Sequence, residues 1–311
     1  MTKMTVNTLV NDYYKSYDFR NLRDETKKQY QYYLKTMMDT EVEGGKALCQ
    51  IFLDKVKTRD AKVAYNFWCE KGITMANHIL SATRIVFNHG LRMELCITNP
   101  FSNIRKRSTE RRKVVWSRED VQKFLDVAYG DFNTRNIGLI AHMAYEWCQR
   151  LGDMRLLKWD NIDFATQTVH IEQSKRRADV HLPISDDLCD MLTHQQEDFG
   201  FQSYVAPRPY PVKGKYIPYS VYKLPLFARK IMDCANLSQE LRLSDLRRTG
   251  TTEMVEAGVG IGQIMSVTGH ANPSSVTPYM KNTLKSANYA LTERKKHDKS
   301  ITSAAKESDI T

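Results

Sequence analysis

The sequence predicts a mainly α-helical chain with a small β-sheet, arranged as an N-terminal helical bundle followed by a mixed α/β domain. Three observations predict it. Apolar residues recur at helical spacing through most of the first hundred positions. A basic segment opened by Asn99-Pro100 interrupts that pattern. Beyond it, helical stretches flank two alternating runs, TVHIEQ and DVHLPI. A chain of 311 residues is long enough for two separate cores.

In TVNTLVNDYYKSY, Val6, Leu9, Val10, Tyr13, Tyr14 and Tyr17 fall on one helical stripe. ETKKQYQYYLKTMM repeats the pattern with Tyr30, Tyr33, Leu34 and Met37. Residues 48–56, 63–68 and 73–93 continue it, giving a bundle of about four or five helices over 1–103. Asn99-Pro100 is expected to stop the last of them. The segment 104–116 reads as an interdomain linker: Arg105, Lys106, Arg107, Arg111, Arg112 and Lys113 face a single acid, Glu110. It is either a solvated tether or a strip that also lies along phosphates, where each neutralised charge steepens the salt dependence of binding.

Ser117, with Asp120 three residues on, caps the first helix of a second domain, 117–296. A helical stretch runs through Tyr145, and the two alternating runs then form a hairpin whose bend, SKRRA, carries Lys175, Arg176 and Arg177. From about Ser220 the pattern is helical again, with helix-compatible Leu284, Asn288 and Leu291 after Tyr279. The tail 297–311 is polar and expected to fray.

Lys and Arg number 46 against 36 Asp and Glu, a formal charge of +10. That balance favours a polyanionic partner, nucleic acid first and a membrane surface second. No long apolar run or signal-like N-terminus is present, so a cytoplasmic protein is expected. The 6 cysteines are dispersed, with no CxxC pair and no His at ligand spacing, and read as reduced thiols. No metal site is suggested.

Four segments bear on chemistry. QRLGDMRLLKWDNID sets Arg150 three residues from Asp153, by itself an ordinary surface ion pair. QSKRRADVHLPI puts Lys175 on a tight turn, by itself a solvated lysine. LRLSDLRRTGTTEMVEAGVG sends Ser244 and Arg247 into a helix ending near Gly258, and MSVTGHANPSSVTPYMKN sets His270 before Tyr279 across a polar stretch. Taken in order, they resemble the catalytic domain of the tyrosine recombinases, the phage integrase family: Arg, Lys on a β-hairpin, His-x-x-Arg, Gly-His, then Tyr about nine residues later. Arg150, Lys175, Arg247, His270 and Tyr279 stand at the matching positions, over roughly residues 114–295. The chain departs at Ser244, where the family usually has His. The helical first hundred residues are similar to the family's core-binding domain.

The resemblance implies a site-specific DNA recombinase. Two arginines, Arg150 and Arg247, would hold the nonbridging oxygens of a phosphodiester bidentately. Tyr279, whose phenol is a poor nucleophile until a base or positive potential favours its phenolate, would attack phosphorus. Lys175 would protonate the leaving 5′ oxygen, and His270 would bond the phosphate or position Tyr279. Ser244 can bond the phosphate but is a poor base. The product would be a covalent 3′-phosphotyrosine, reversible by a second 5′-hydroxyl, with neither cofactor nor metal required. The family further implies double-stranded DNA at specific sites clamped between the two domains, a homotetramer exchanging strands through a Holliday junction, and a DNA-bending accessory protein. A phage or mobile-element integrase fits best. The alternatives are a chromosome-dimer resolvase, an architectural DNA-binding protein that kept the fold and lost the chemistry, and a type IB topoisomerase.

Overall fold

The computed structural model describes residues 4–42, 44–110, 112–175, 177–280, 287–288, 290–292 and 294–295. The chain divides into two compact units, the first closing at Arg112 and the second opening at Lys113. Among the described residues, no helix is long and apolar enough to cross a membrane.

In the first unit, α1 (Val6–Lys15) starts at Thr5, whose hydroxyl accepts from the Thr8 N–H at 3.3 Å. Val6, Leu9, Val10 and Tyr13 are buried as the stripe predicts. The helix breaks at Ser16, which caps the short α2 (Tyr17–Arg20), so Tyr17 leaves the stripe and is 74% exposed. Next come α3 (Asp24–Met38), the antiparallel pair β1 (Glu41–Val42) and β2 (Lys46–Ala47), α4 (Thr58–Lys71) and α5 (Ile73–Arg92). Gly72 alone joins α4 to α5, at φ 143°, a conformation that favours a residue without a Cβ. Residues 48–56 are not the helix that their composition predicts but two 3₁₀ turns, Leu48–Gln50 and Leu53–Lys55. At helical spacing Leu48 and Leu53 would point about 140° apart, whereas separate turns bury both. The last helix ends at Arg92, well before Asn99-Pro100, and Glu94 turns the chain at φ 55°. Phe101 then returns to the core, stacking on Trp68 with centroids 6.2 Å apart.

In the second unit, α6 (Arg118–Tyr129) begins with the expected reciprocal cap: the Asp120 N–H donates to Ser117 Oγ at 3.0 Å and the Ser117 N–H to Asp120 Oδ2 at 3.2 Å. The central helix, α7 (Phe132–Glu146), packs against α6 and leads to the short α8 (Leu151–Met154). A three-stranded antiparallel sheet follows, in the order β3 (Ile162–Asp163), β4 (Thr168–Glu172), β5 (Asp179–Pro183). Val169, Ile171, Val180 and Leu182 face the core, while His170 and His181 pair on the outer face. The hairpin is as expected; β3 and the helix α9 (Asp186–Phe199) stand in addition to the elements expected from the sequence. The remaining helices are α10 (Lys223–Cys234), α11 (Leu246–Glu256) and α12 (Ile261–Thr268). Beyond 280, Leu284 and the tail 297–311 lie outside the described residues, whereas Asn288 and Leu291 are helical.

Candidate active site

Where α7 ends, Cys148 takes φ 50° and turns the chain, burying Gln149 completely and leaving Arg150 as the N-cap of α8. Arg150 is gripped from two directions. Its Nη1 donates to Gln173 Oε1 at 2.8 Å and lies 3.7 Å from Asp153 Oδ2. The Asp153 side chain is only 3% exposed, and its Oδ1 accepts from the Ser174 N–H at 3.1 Å. The surface ion pair that the spacing alone suggests is therefore a buried acid, one that ties the guanidinium to the base of the β4–β5 hairpin.

Arg247 comes from the first turn of α11, which packs on α7. Its Nη2 donates to the Thr268 carbonyl at 2.8 Å and lies 3.2 Å from His270 Nε2. Its Nη1 is buried with no hydrogen-bond partner among the described residues. Burial first, and the neighbouring charge of Arg150 second, push the Arg247 pKa down to about 10. It is still a cation at neutral pH, incompletely bonded and beside a second cation. A buried donor left unsatisfied gains most from an incoming acceptor, and a pair of guanidiniums suits a phosphate.

Gly269 ends α12 in the left-handed region, φ 66°, and the chain passes directly to His270. Thr268 Oγ1 donates to the Ile264 carbonyl at 2.7 Å, so it must accept from His270 Nδ1, also at 2.7 Å. This network assigns the proton of the neutral imidazole to Nδ1 and leaves Nε2 as the acceptor facing Arg247. Tyr279 closes the 3₁₀ turn Thr277–Tyr279, anchored by the fully buried Val276, whose carbonyl accepts from the Tyr279 N–H at 2.9 Å. Its half-buried ring lies 6.2 Å from the His270 ring, centroid to centroid, and Arg248 Cζ stands 5.3 Å from the same centroid. The Tyr279 ring thus sits between the His270 ring and the Arg248 guanidinium. Burial pushes the nearby Cys148 thiol up to about 12, which removes it as a competing nucleophile.

Arg150, Arg247, His270 and Tyr279 are therefore brought together. Lys175 and Arg177 stand exposed on the hairpin turn, and Ser244 is exposed on the 3₁₀ turn Leu243–Asp245 that feeds α11. Arg105, Lys106 and Arg107 lie on the first unit, where Lys106 Nζ donates to Ser81 Oγ at 2.6 Å and Arg107 Nη2 to Asn66 Oδ1 at 3.1 Å. Arg112 and Lys113 fall at the division of the units, while Arg111 and Arg176 lie outside the described residues. Sequence reasoning missed Gln149, Gln173, Thr268 and Arg248. One signal pointed to Gln173: it continues the inward alternation of Val169 and Ile171, and a polar residue on a buried strand face needs partners.

The profile of the Phage integrase family matches residues 115–285, more than half of the chain. The chain belongs to this family. It is a tyrosine recombinase, a DNA strand-transferring enzyme. A tyrosine recombinase of Pseudothermotoga lettingae is 23% identical over 209 residues, 65% of this recombinase and 68% of that one. In fold it is similar to a lambda integrase tetramer bound to a Holliday junction, with TM-score 0.73, 17% identity, and coverage of 90% of this chain and 78% of that one. It is also similar to the Tn1549 transposon integrase in complex with transposon right end DNA, with TM-score 0.73, 17% identity, and coverage of 93% and 99%.

Proposed function

We propose that this recombinase is a site-specific integrase of a phage or mobile element, cutting and rejoining double-stranded DNA through a 3′-phosphotyrosine at Tyr279. The observation that carries the reading is the pair Arg150 and Arg247, with an unpartnered buried Nη1 on Arg247, next to the His270–Tyr279 ring pair. In this reading the two guanidiniums hold the nonbridging oxygens of the scissile phosphate. His270 Nε2, turned inward as an acceptor, takes the phenol proton or, once protonated, bonds the phosphate. Tyr279 attacks phosphorus, and the 5′ oxygen leaves with a proton from Lys175 on the hairpin. Ser244 bonds the phosphate where the family usually has His. A second 5′-hydroxyl then attacks the phosphotyrosine and reseals the strand.

Both the family and the fold support assembly on DNA: lambda integrase forms a tetramer on a Holliday junction, and the same assembly is proposed here, with a DNA-bending accessory protein. The basic residues at 105–107, 112–113 and 177 supply phosphate contacts. Nicked duplexes cut from DNA flanking the gene, designed so that the released end diffuses away, test this. The expected result is a covalent protein–DNA adduct with the wild type and none with Tyr279→Phe. Tight, sequence-specific binding without an adduct would instead support an architectural protein on the same fold.

A further inference from the structure

We propose that Gln173 is a positioning residue for strand transfer: its amide sets Arg150, and through the Thr268 carbonyl Arg247, toward one phosphate. The inference rests on the assignment of both arginines to the scissile phosphate given above. Gln173 is fully buried just past the end of β4, and every polar atom of its side chain is engaged. Nε2 donates to Gln149 Oε1 at 2.7 Å and to the Thr268 carbonyl at 2.8 Å, while Oε1 accepts from Arg150 Nη1 at 2.8 Å. Gln149, equally buried, uses its own amide hydrogens on the carbonyls of Trp147, at 2.8 Å, and Val267, at 2.7 Å.

Neither amide can turn over. A flipped Gln173 would set its oxygen against two acceptors, so the network itself points Oε1 at Arg150. The Thr268 carbonyl takes a second bond from Arg247 Nη2, and one oxygen thereby stands between the relay and the second arginine. The hydrogen bonds that hold the two mutually repelling guanidiniums go to neutral acceptors, Gln173 Oε1 and the Thr268 carbonyl, so that Asp153, 3.7 Å from Arg150 Nη1, offsets only part of their charge. A carboxylate at 173 would also hold Arg150, but it would offset that charge and repel both Gln149 Oε1 and the Thr268 carbonyl. Gly269 leaves room for this arrangement, since a Cβ there would stand 2.4 Å from Gln173 Nε2. The backbone of the same glutamine closes the base of the hairpin that carries Lys175, donating to the Ala178 carbonyl at 2.9 Å and accepting from the Arg177 N–H at 2.8 Å.

The test is single-turnover cleavage of a nicked duplex on which the wild type forms its Tyr279-dependent adduct. Gln173→Met is expected to slow cleavage about 10- to 100-fold with binding of the duplex unchanged, as misplacement of a positioned group does. Gln173→Glu is expected to lose at least as much. In an Arg150→Lys background, Gln173→Met should add little, because its effect passes through the guanidinium. A wild-type rate for Gln173→Met, or losses that multiply fully in the double variant, overturns the proposal. Gln149→Met leaves the direct acceptor of Arg150 in place and supplies a second route should the position 173 variants not fold: a smaller loss supports the relay and a wild-type rate overturns it. A wild type that forms no adduct would overturn the strand-transfer reading and the relay with it, whereas an adduct formed equally fast by Gln173→Met overturns the relay alone.

Discussion

Arg247 is held at an energetic disadvantage that a bound anion would relieve. Its guanidinium is largely desolvated, repelled by Arg150 and short of one partner. Arg247→Met keeps most of the stem and removes the buried cation, so it should raise the stability of the unbound protein by about 1 kcal/mol. That corresponds to roughly 2–4 °C in Tm for a unit of this size, alongside complete loss of the covalent adduct. The sign with pH follows from the depressed pKa. The disadvantage exists wherever Arg247 is protonated and fades only as pH rises through about 10, so the gain should be equal at about pH 6 and about pH 8. Thermal melts of both proteins at each pH check this; a lower Tm for the variant would contradict it. At Ser244, Ser244→Ala is expected to slow cleavage roughly 10²- to 10³-fold if the hydroxyl bonds the phosphate, and a wild-type rate in single turnover would remove that role. Arg150, Arg247, His270 and Tyr279, which the fold brings together, were legible as candidates in the sequence because the proposed chemistry demands particular side chains in a particular order. Gln149 and Gln173 were not, because a buried amide works only through partners that the fold brings from distant segments.

In the proposed mechanism the leaving-group step depends on the β4–β5 hairpin, which presents Lys175 from an exposed turn whose base is closed by Gln173. Lys175→Ala should slow cleavage by roughly 10² to 10⁴, as loss of a general acid does. Replacing the bridging 5′ oxygen of the substrate by sulfur should restore most of the rate, because a thiolate leaves without needing a proton. Failure of that substrate to rescue Lys175→Ala, measured beside the wild type, would assign the lysine another role. Long amphipathic elements such as α1 and α5, the Ser117 cap and the hairpin were readable because periodicity and capping are local properties. The two turns at 48–55 and the two-residue β3 were not. Pieces that short have no period to read, and their conformation is set by the cores they seal.

At the scale of the whole molecule, the net charge of +10 and the basic segment at the division of the units predict a strongly salt-dependent grip on DNA. Replacing Arg105, Lys106 and Arg107 together with Ala should weaken binding evenly across sequences. It should also flatten the plot of log affinity against log salt by about 0.9 for each phosphate no longer neutralised, and an unchanged slope in a filter-binding titration would exclude the segment from the interface. The central claim is that the two arginines and His270 exist to make Tyr279 the nucleophile. It is tested most directly by digesting the trapped protein–DNA adduct with trypsin and locating the nucleotide by mass spectrometry. The tryptic peptide running from Thr249 to Lys281 contains Tyr279 as its only tyrosine. The account predicts a nucleotide mass on that peptide, at Tyr279. A nucleotide on any other peptide, or on a serine of this one, would contradict it.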